Sequence, residues 1–381
     1  MVWVRTERRG RALLDVAGLF FRLGCTAFGG PAAHIALVER ECVQRRQWIT
    51  RERFLEVLSV ASLIPGPTST ELVMHVGREH AGWAGLLIAG AMFIVPSALM
   101  VGALAAGYVG GGDLTFVRGA IAAVQPVVVV VIAHAMIALG RSAVRSVATG
   151  VLAVAVVVLS FAGVPAVALL LAAGFIHALG ATRVRTAATT PALVAVTAVG
   201  MGAAATAVPV KMSALFGYFA SVGSVLFGSG YVLLPALHDD LVNRLRWISD
   251  AQLIDAIAAG QATPGPVFTT ATFIGYLLGG TAGAAVATLG MFLPAFVFSA
   301  ISAALLPRLR NWRAGQLFLQ GVNAAAVALI GVVVVTLARQ AFRGIVPITL
   351  ALICGALIVK GINPTIVLVG AAAGGAVAAL F

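Results

Sequence analysis

Uncharged apolar runs long enough to cross a lipid bilayer recur along this chain and constrain its fold more than any other feature. A spanning helix needs about 20 apolar residues, and Pro191 to Val210 (PALVAVTAVGMGAAATAVPV) is such a run without a single charge. Segments 82–108, 115–140, 281–306 and 315–338 read as further full spans, and 146–161 with 164–180 and 345–359 with 363–381 read as short apolar hairpins. Residues are 61% hydrophobic and only 10% charged, with a mean hydropathy of +1.05, which lies outside the soluble globular range. A membrane β-barrel would need alternating strands of roughly ten residues, and none is seen. The expected class is an all-α polytopic membrane protein with the lipid bilayer as its partner.

The net charge of +12 does not point to nucleic acid. Arginines sit in short clusters between apolar runs, as loop charges do under the positive-inside rule, and no large soluble domain is present to read a groove. The first residues, MVWVRTERRGRALLDVAG, have a basic start and no clean cleavage site, so a retained, cytoplasmic N-terminus is expected. Cys25, Cys42 and Cys354 are scattered and the six histidines lack ligand spacing, so no metal is expected. No P-loop, nucleophile elbow or His-Glu-x-x-His motif occurs. No cofactor and no enzymatic activity are expected.

The chain repeats itself at a spacing of 199 residues. Phe28-Gly29-Gly30 meets Phe227-Gly228-Ser229, Trp48-Ile49-Thr50 meets Trp247-Ile248-Ser249, Pro65-Gly66-Pro67 meets Pro264-Gly265-Pro266, Gly24 meets Gly223, and Glu56 meets Asp255. Two homologous halves follow, residues 1–180 and 212–381, joined by a linker (181–211) that carries the 191–210 span. One extra span between equivalent points inverts the second half relative to the first, a common transporter plan. Counting Lys and Arg on each side does not choose between inverted and parallel halves.

Within each half, segment A (11–38 and 213–238) is interrupted at a Gly motif, and segment B (51–80 and 250–278) at Pro-Gly-Pro. Full crossing would carry the loop with Arg40, Arg45, Arg46, Arg51 and Arg53 to the outside, against the positive-inside tendency. Broken or re-entrant helices keep it inside, and such breaks are tolerated only where protein buries them or water lines them. A helix restarting after Pro67 presents free N–H groups and the positive end of its dipole, a ready anion site. Thr68, Ser69 and Thr70 add hydroxyls there, and Phe268, Thr269 and Thr270 follow Pro266 in the second copy. The motifs holding Gly29, Gly30, Pro31 and His34, and Gly228, Ser229, Gly230 and Tyr231, supply two more helix starts; Gln261 flanks the second break. Four half-helix ends near the midplane would cradle a small polar anion without many charges.

Glu71 and His75 share a helix face and are candidates for proton coupling, because intramembrane ionisable groups are functional by default. Arg22 and Arg118 are candidate charges on the path; alternatively Arg22 pairs with Asp15, seven residues earlier. His134 and His177 are expected to bond neighbouring backbone, and Glu39, Glu41, Asp239 and Asp240 to be solvated. Thr50 and Ser249 are expected to cap helices.

The segments FGGPAAHIA, LIPGPTSTELVMHVG, FGSGYVLLPAL and GQATPGPVFTTATFIGYLLGG, in this order and with a Trp in each loop, resemble the chromate ion transporter family, and the two-half layout resembles its two-domain, long-chain members. Where similar proteins commonly carry Asn, this chain has Ser62 and Thr68. The resemblance implies export of chromate, a tetrahedral dianion like sulfate, from the bacterial cytoplasm across the inner membrane. It leaves open a sulfate-like oxyanion as the substrate, proton antiport as a drive, a channel-like pore and a homodimer.

Overall fold

The computed structural model describes residues 2–111, 115–183, 210–225, 227–228, 233–309 and 313–380. All but the last residue of the span expected over 191–210 lies outside the described residues, as do Ser229, Gly230 and Tyr231. The first half runs α1 (Val2–Thr26), α2 (Gly30–Val38), a π-helical turn (Glu39–Arg45), α3 (Arg51–Ala61), the two-residue strand β1 (Gly66–Pro67), α4 (Thr68–Gly110), α5 (Thr115–Ala143), α6 (Val147–Phe161) and α7 (Ala166–Arg183). The second half runs α8 (Met212–Val225), β2 (Phe227–Gly228), α9 (Leu233–Leu237), a π-helical turn (His238–Arg244), α10 (Asp250–Ala262), a 3-10 turn (Val267–Thr269), α11 (Thr270–Leu309), α12 (Arg313–Ala341), α13 (Ile345–Val359) and α14 (Pro364–Ala378). The element order repeats, down to a left-handed residue between π-turn and Trp in each half: Gln47 at φ 51° and Arg246 at φ 53°.

Both interrupted segments of the first half enter and leave at one end. Arg53 at the start of α3 bonds Glu79 at 2.8 Å, and Trp48 stacks on His80 with ring centroids 4.0 Å apart. Residues 51–80 are therefore a hairpin whose tip is the Pro-Gly-Pro. Phe20 of α1 meets Trp48 edge-on, so segment A returns to the same end after its break at 27–29. In the second half Tyr218 of α8 meets Trp247 in the same way.

Two helices long enough to span turn out to be composite. α4, 43 residues long, leaves helical geometry at Ala81 and Gly82 (φ 70°), and α11, 40 residues long, does so at Gly279 and Gly280 (φ 61°). The chain folds back there, and Gly77 packs on Gly85 and Gly275 on Gly283 so closely that a Cβ on any of them would strike the facing backbone. Small residues at such contacts let helix backbones approach in a membrane. Each composite thus joins the return leg of a hairpin (68–80; 270–278) to a full span (83–110; 281–309).

The two full spans cross-contact the opposite half. Past the middle of the first span, Ser97 lies 3.1 Å from Thr269, and at its end Tyr108 bonds Asp255 near the mouth of the second half's hairpin. In the second span, Phe296 packs on Gly90, and further along Ser302 bonds His75 at 3.1 Å and the Ala303 carbonyl accepts from Arg78 at 2.8 Å. Each span therefore starts beside its own hairpin mouth and ends beside the other's. The largest buried side chains fall in two core clusters, Phe20, Phe54 and Phe93 in one and Phe219 and Phe268 in the other, while α6, α13 and α14 expose large apolar side chains such as Val147, Ile345 and Ile366.

Three expectations about polar residues are corrected. Glu41 is not solvated: it is 4% exposed, and Arg22, Arg45 and Arg46 surround it, at 2.7 Å for Arg22. Arg22 pairs with Glu41 and not with Asp15, because the segment-A hairpin brings the π-turn back beside α1. His177 donates from Nε2 to the side chain of Gln320 at 3.3 Å, not to backbone; at spans without spare carbonyls a side-chain acceptor on the facing helix satisfies it. Thr50 and Ser249 cap α3 and α10 as expected, with a full capping box at Ser249.

Candidate functional site

The breaks of the two halves are bonded to each other. Gly66 and Pro67 pair in parallel with Phe227 and Gly228, and the Gly265 N–H donates to the Ala27 carbonyl at 2.9 Å. The Pro-Gly-Pro of each half thus meets the Gly motif of the other, a reciprocal pattern that only a two-fold arrangement of the halves produces. Both central glycines have positive φ, 132° at Gly66 and 92° at Gly265, where a side chain is strained. Neither has room for one: a Cβ on Gly66 would strike the Glu71 carboxyl, and one on Gly265 would lie 2.7 Å from Ser97 Cβ.

The helices that begin at this junction lack side-chain caps. α2 starts after Gly29 (φ 104°) with Pro31 in its first turn, α4 starts after Pro67, and the 3-10 turn leading into α11 starts after Pro266, all without a capping hydrogen bond. By contrast α3, α6, α10 and α14 are capped by Thr50, Ser146, Ser249 and Asn363; α13, remote from the breaks, is also uncapped. An uncapped start leaves orphan N–H groups and a partial positive charge. Side chains normally answer them, and converging uncapped starts offer the free donors and partial positive charge that an anion site uses.

The hydroxyls around the junction are wired differently in the two halves. Thr269 donates to the Pro266 carbonyl at 2.8 Å and accepts from Ser97, and Thr270 donates to the Val267 carbonyl at 2.8 Å. Their hydrogens are spent inside the helix start. In the first half Ser69 lies 3.4 Å from His34 Nδ1, while His34 Nε2 lies 3.0 Å from the Ala27 carbonyl. The carbonyl requires the proton on Nε2, which makes Nδ1 the acceptor and Ser69 the donor. Thr70 Oγ1, both Glu71 oxygens and Ser299 Oγ are buried without a hydrogen-bond partner among the described residues. Phe268 is buried in the apolar core, and the Gln261 carbonyl accepts from Thr365 at 3.3 Å.

His34, Ser69, Thr70, Glu71, Gly265 and Thr269 are therefore drawn to one junction. Arg22 is held at the π-turn by Glu41, and Arg118 lies in the first turn of α5, whose Gly119 packs on Gly375 near the end of α14; neither reaches the tips. His75 sits one turn beyond Glu71 and faces Ser302. Ser97 and Ser299, on the full spans, were not legible as site residues, since a serine in an apolar helix has no local signal.

A family model described as chromate transporter matches residues 14–179 and again 213–376. The chain belongs to the chromate transporter family. It is 33% identical over 371 residues to the chromate transport protein of Cupriavidus metallidurans, covering 94% of this chain and 91% of that one. It is 33% identical over 335 residues to the chromate transport protein of Pseudomonas aeruginosa (84% and 80% of the two chains) and 30% identical over 357 residues to a probable chromate transport protein of Synechococcus elongatus (90% and 88%). No solved structure matches. The double match means that this chromate transporter family chain is built of two homologous halves, and its named relatives are transport proteins, not enzymes. Repetition of a family unit also accounts for the paired breaks: each half contributes one Gly motif and one Pro-Gly-Pro, and the fold of this chain closes them on each other.

Proposed function

We propose that this chain is a secondary transporter that exports chromate from the bacterial cytoplasm across the inner membrane, binding the dianion at the junction of the two Pro-Gly-Pro tips. The observation that carries this reading is the reciprocal bonding of each tip to the other half's Gly motif, with uncapped helix starts converging there. N–H groups and hydroxyls without net charge hold a tetrahedral dianion while still allowing its release. Membership of the chromate transporter family supports the substrate.

The two halves work as inverted repeats that expose the junction alternately to each side. Contacts of Tyr108 with Asp255 and of Arg78 with Ala303 support the inversion, because each full span ends at the other half's hairpin mouth. The Arg-rich first mouth is cytoplasmic, in keeping with the positive-inside rule. Moving a dianion out of a negative interior gains about 4.6 kcal/mol per 100 mV, twice the value for one charge, so the membrane potential suffices as the drive. Proteoliposomes loaded with chromate test this. Efflux that follows an imposed potential, saturates, and is competed by excess sulfate less than by chromate supports it. Absence of transport in every orientation overturns it, and equal competition by sulfate reassigns the substrate to oxyanions generally.

A further inference from the structure

The first-half tip holds an ionisable group that the second-half tip lacks. Glu71 is fully buried, neither carboxyl oxygen has a hydrogen-bond partner among the described residues, and one of them packs directly against Gly66, the residue that opens the helix start. Its counterpart Thr270 turns away into a bond with Val267. A second difference adjoins it. Gly66 also packs on Ala295, whereas the equivalent Gly265 packs on Ser97, so Thr70 lacks the partner that Thr269 has. The threonine hydroxyls of one tip are thus satisfied within the protein, and the other tip is left, among the described residues, with unpartnered polar atoms around a carboxyl that shares its helix start with the anion site.

We propose that ionisation of Glu71 and occupation of the first-half tip by an oxyanion exclude one another, so that the dianion binds together with one proton. The inference rests on the anion site proposed above. A carboxylate against Gly66 would be a third negative charge beside a bound dianion in a water-poor interior, where like charges repel strongly. A neutral acid adds no such charge, and its hydroxyl is a donor toward the anion. Reciprocity of linkage then fixes the sign: if protonation of Glu71 tightens anion binding, anion binding draws a proton in. Ionisation of Glu71 becomes the event that releases the anion, and proton and anion associate instead of exchanging. A proton that travels with the dianion leaves one net negative charge to move, for which the potential still supplies half the drive of the bare dianion.

Other groups on the elements around α4 are already engaged or distant. His34 on α2 is bonded to Ala27 and Ser69, and His75 on α4 itself to Ser302. At the hairpin mouth Arg53 of α3 pairs with Glu56 and Glu79, and Arg78 bonds the Ala303 carbonyl. On α1, Arg22 pairs with Glu41 and Asp15 lies toward the mouth, near His80. Asp255 of α10 is held by Tyr108 and Gln125 at the opposite mouth, and Tyr276 of α11 belongs to the second hairpin.

The test is chromate binding to the purified, detergent-solubilised full chain across the alkaline range, where chromate is a dianion, with proton exchange read in weakly buffered solution. The expected result, at pH values where Glu71 is ionised in the free protein, is uptake approaching one proton per chromate together with an affinity that falls about tenfold per pH unit. Glu71→Gln, which mimics the neutral acid, is expected to bind without proton uptake and with a flat pH profile. Glu71→Thr, the second half's residue, serves the same purpose should the Gln variant not remain monodisperse. Proton release on binding, a flat wild-type profile, or a variant that keeps the wild-type slope would overturn the proposal. Failure of wild type to bind chromate at any pH would overturn the transport reading and this inference with it, whereas binding without proton linkage overturns the inference alone.

Discussion

Ser97 Oγ lies 3.1 Å from Thr269 Oγ1, tying the first half's full span to the second half's tip. The repeat places Ala295 and Thr70 in the same relation, and there the bond is missing. Ala295→Ser is therefore expected to restore the partner of Thr70. A net gain of about 0.5–1.5 kcal/mol is expected for a buried hydrogen bond replacing an unsatisfied group, and Ser97→Ala should lose a similar amount. Thermal unfolding of the two variants in detergent checks this: a fall in stability for Ala295→Ser would show that Thr70 is satisfied in some other way.

Gly66 and Gly265 should tolerate no side chain. Each has positive φ, and a Cβ would meet Glu71 or Ser97. Strain of this kind costs about 1–3 kcal/mol, concentrated where the anion is to bind. Gly66→Ala and Gly265→Ala are expected to reach the membrane and lose most chromate efflux. Gly163→Ala is the control, because Gly163 also has positive φ (84°) but has open space around it, in the turn between α6 and α7. Its transport should stay close to wild type, and equal loss in all three variants would mean that backbone strain alone, not the tips, is responsible.

Glu41 lends the first hairpin mouth a pH dependence. Burial works against its charge, but hydrogen bonds from Arg45 and Arg22 and their positive charges outweigh that and hold its carboxyl below its usual value of 4.5. A depressed folded value means that the stabilisation is present above the unfolded value and is lost as pH falls through the folded one. Wild type should lose thermal stability on acidification below about pH 4.5, and Glu41→Gln should be less stable at neutral pH with a shallower acid slope. Parallel slopes for the two proteins would remove Glu41 from this role.

Much of this architecture is legible because it is written twice. The spacing from Trp48 to Trp247 and from Gly66 to Gly265 exposes two halves and four interruptions, since proline and glycine repeated at matching places in apolar helices mark breaks that both halves share. What a linear reading misses is any relation between the halves. Nothing near Pro65 signals that its glycine pairs with Phe227, and nothing near Glu56 or Asp255 says that Asp255 is held by Tyr108 and Gln125 from the other half. Glu41 escapes for the same reason: an acid in an Arg-rich loop looks solvated until the hairpin folds α1 against it. Hydroxyl counting overestimates the anion donors, since the hydrogens of Thr269 and Thr270 go to carbonyls one turn back.

The inversion itself is open to direct chemical test. Gln44 and Asn243 are exposed, occupy equivalent positions in the two π-turns, and lie just before the two Trp loops. The native thiols Cys25, Cys42 and Cys354 are all free and are first replaced by Ala or Ser. Gln44→Cys and Asn243→Cys are then placed singly in that background and treated with a membrane-impermeant thiol reagent on intact cells. If each full span ends beside the other half's hairpin, the two π-turns face opposite sides. Asn243→Cys should label from outside, and Gln44→Cys only after the membrane is opened. Labelling of both from one side would make the halves parallel and would require the contacts of Tyr108 with Asp255 and of Arg78 with Ala303 to be rearranged in the membrane.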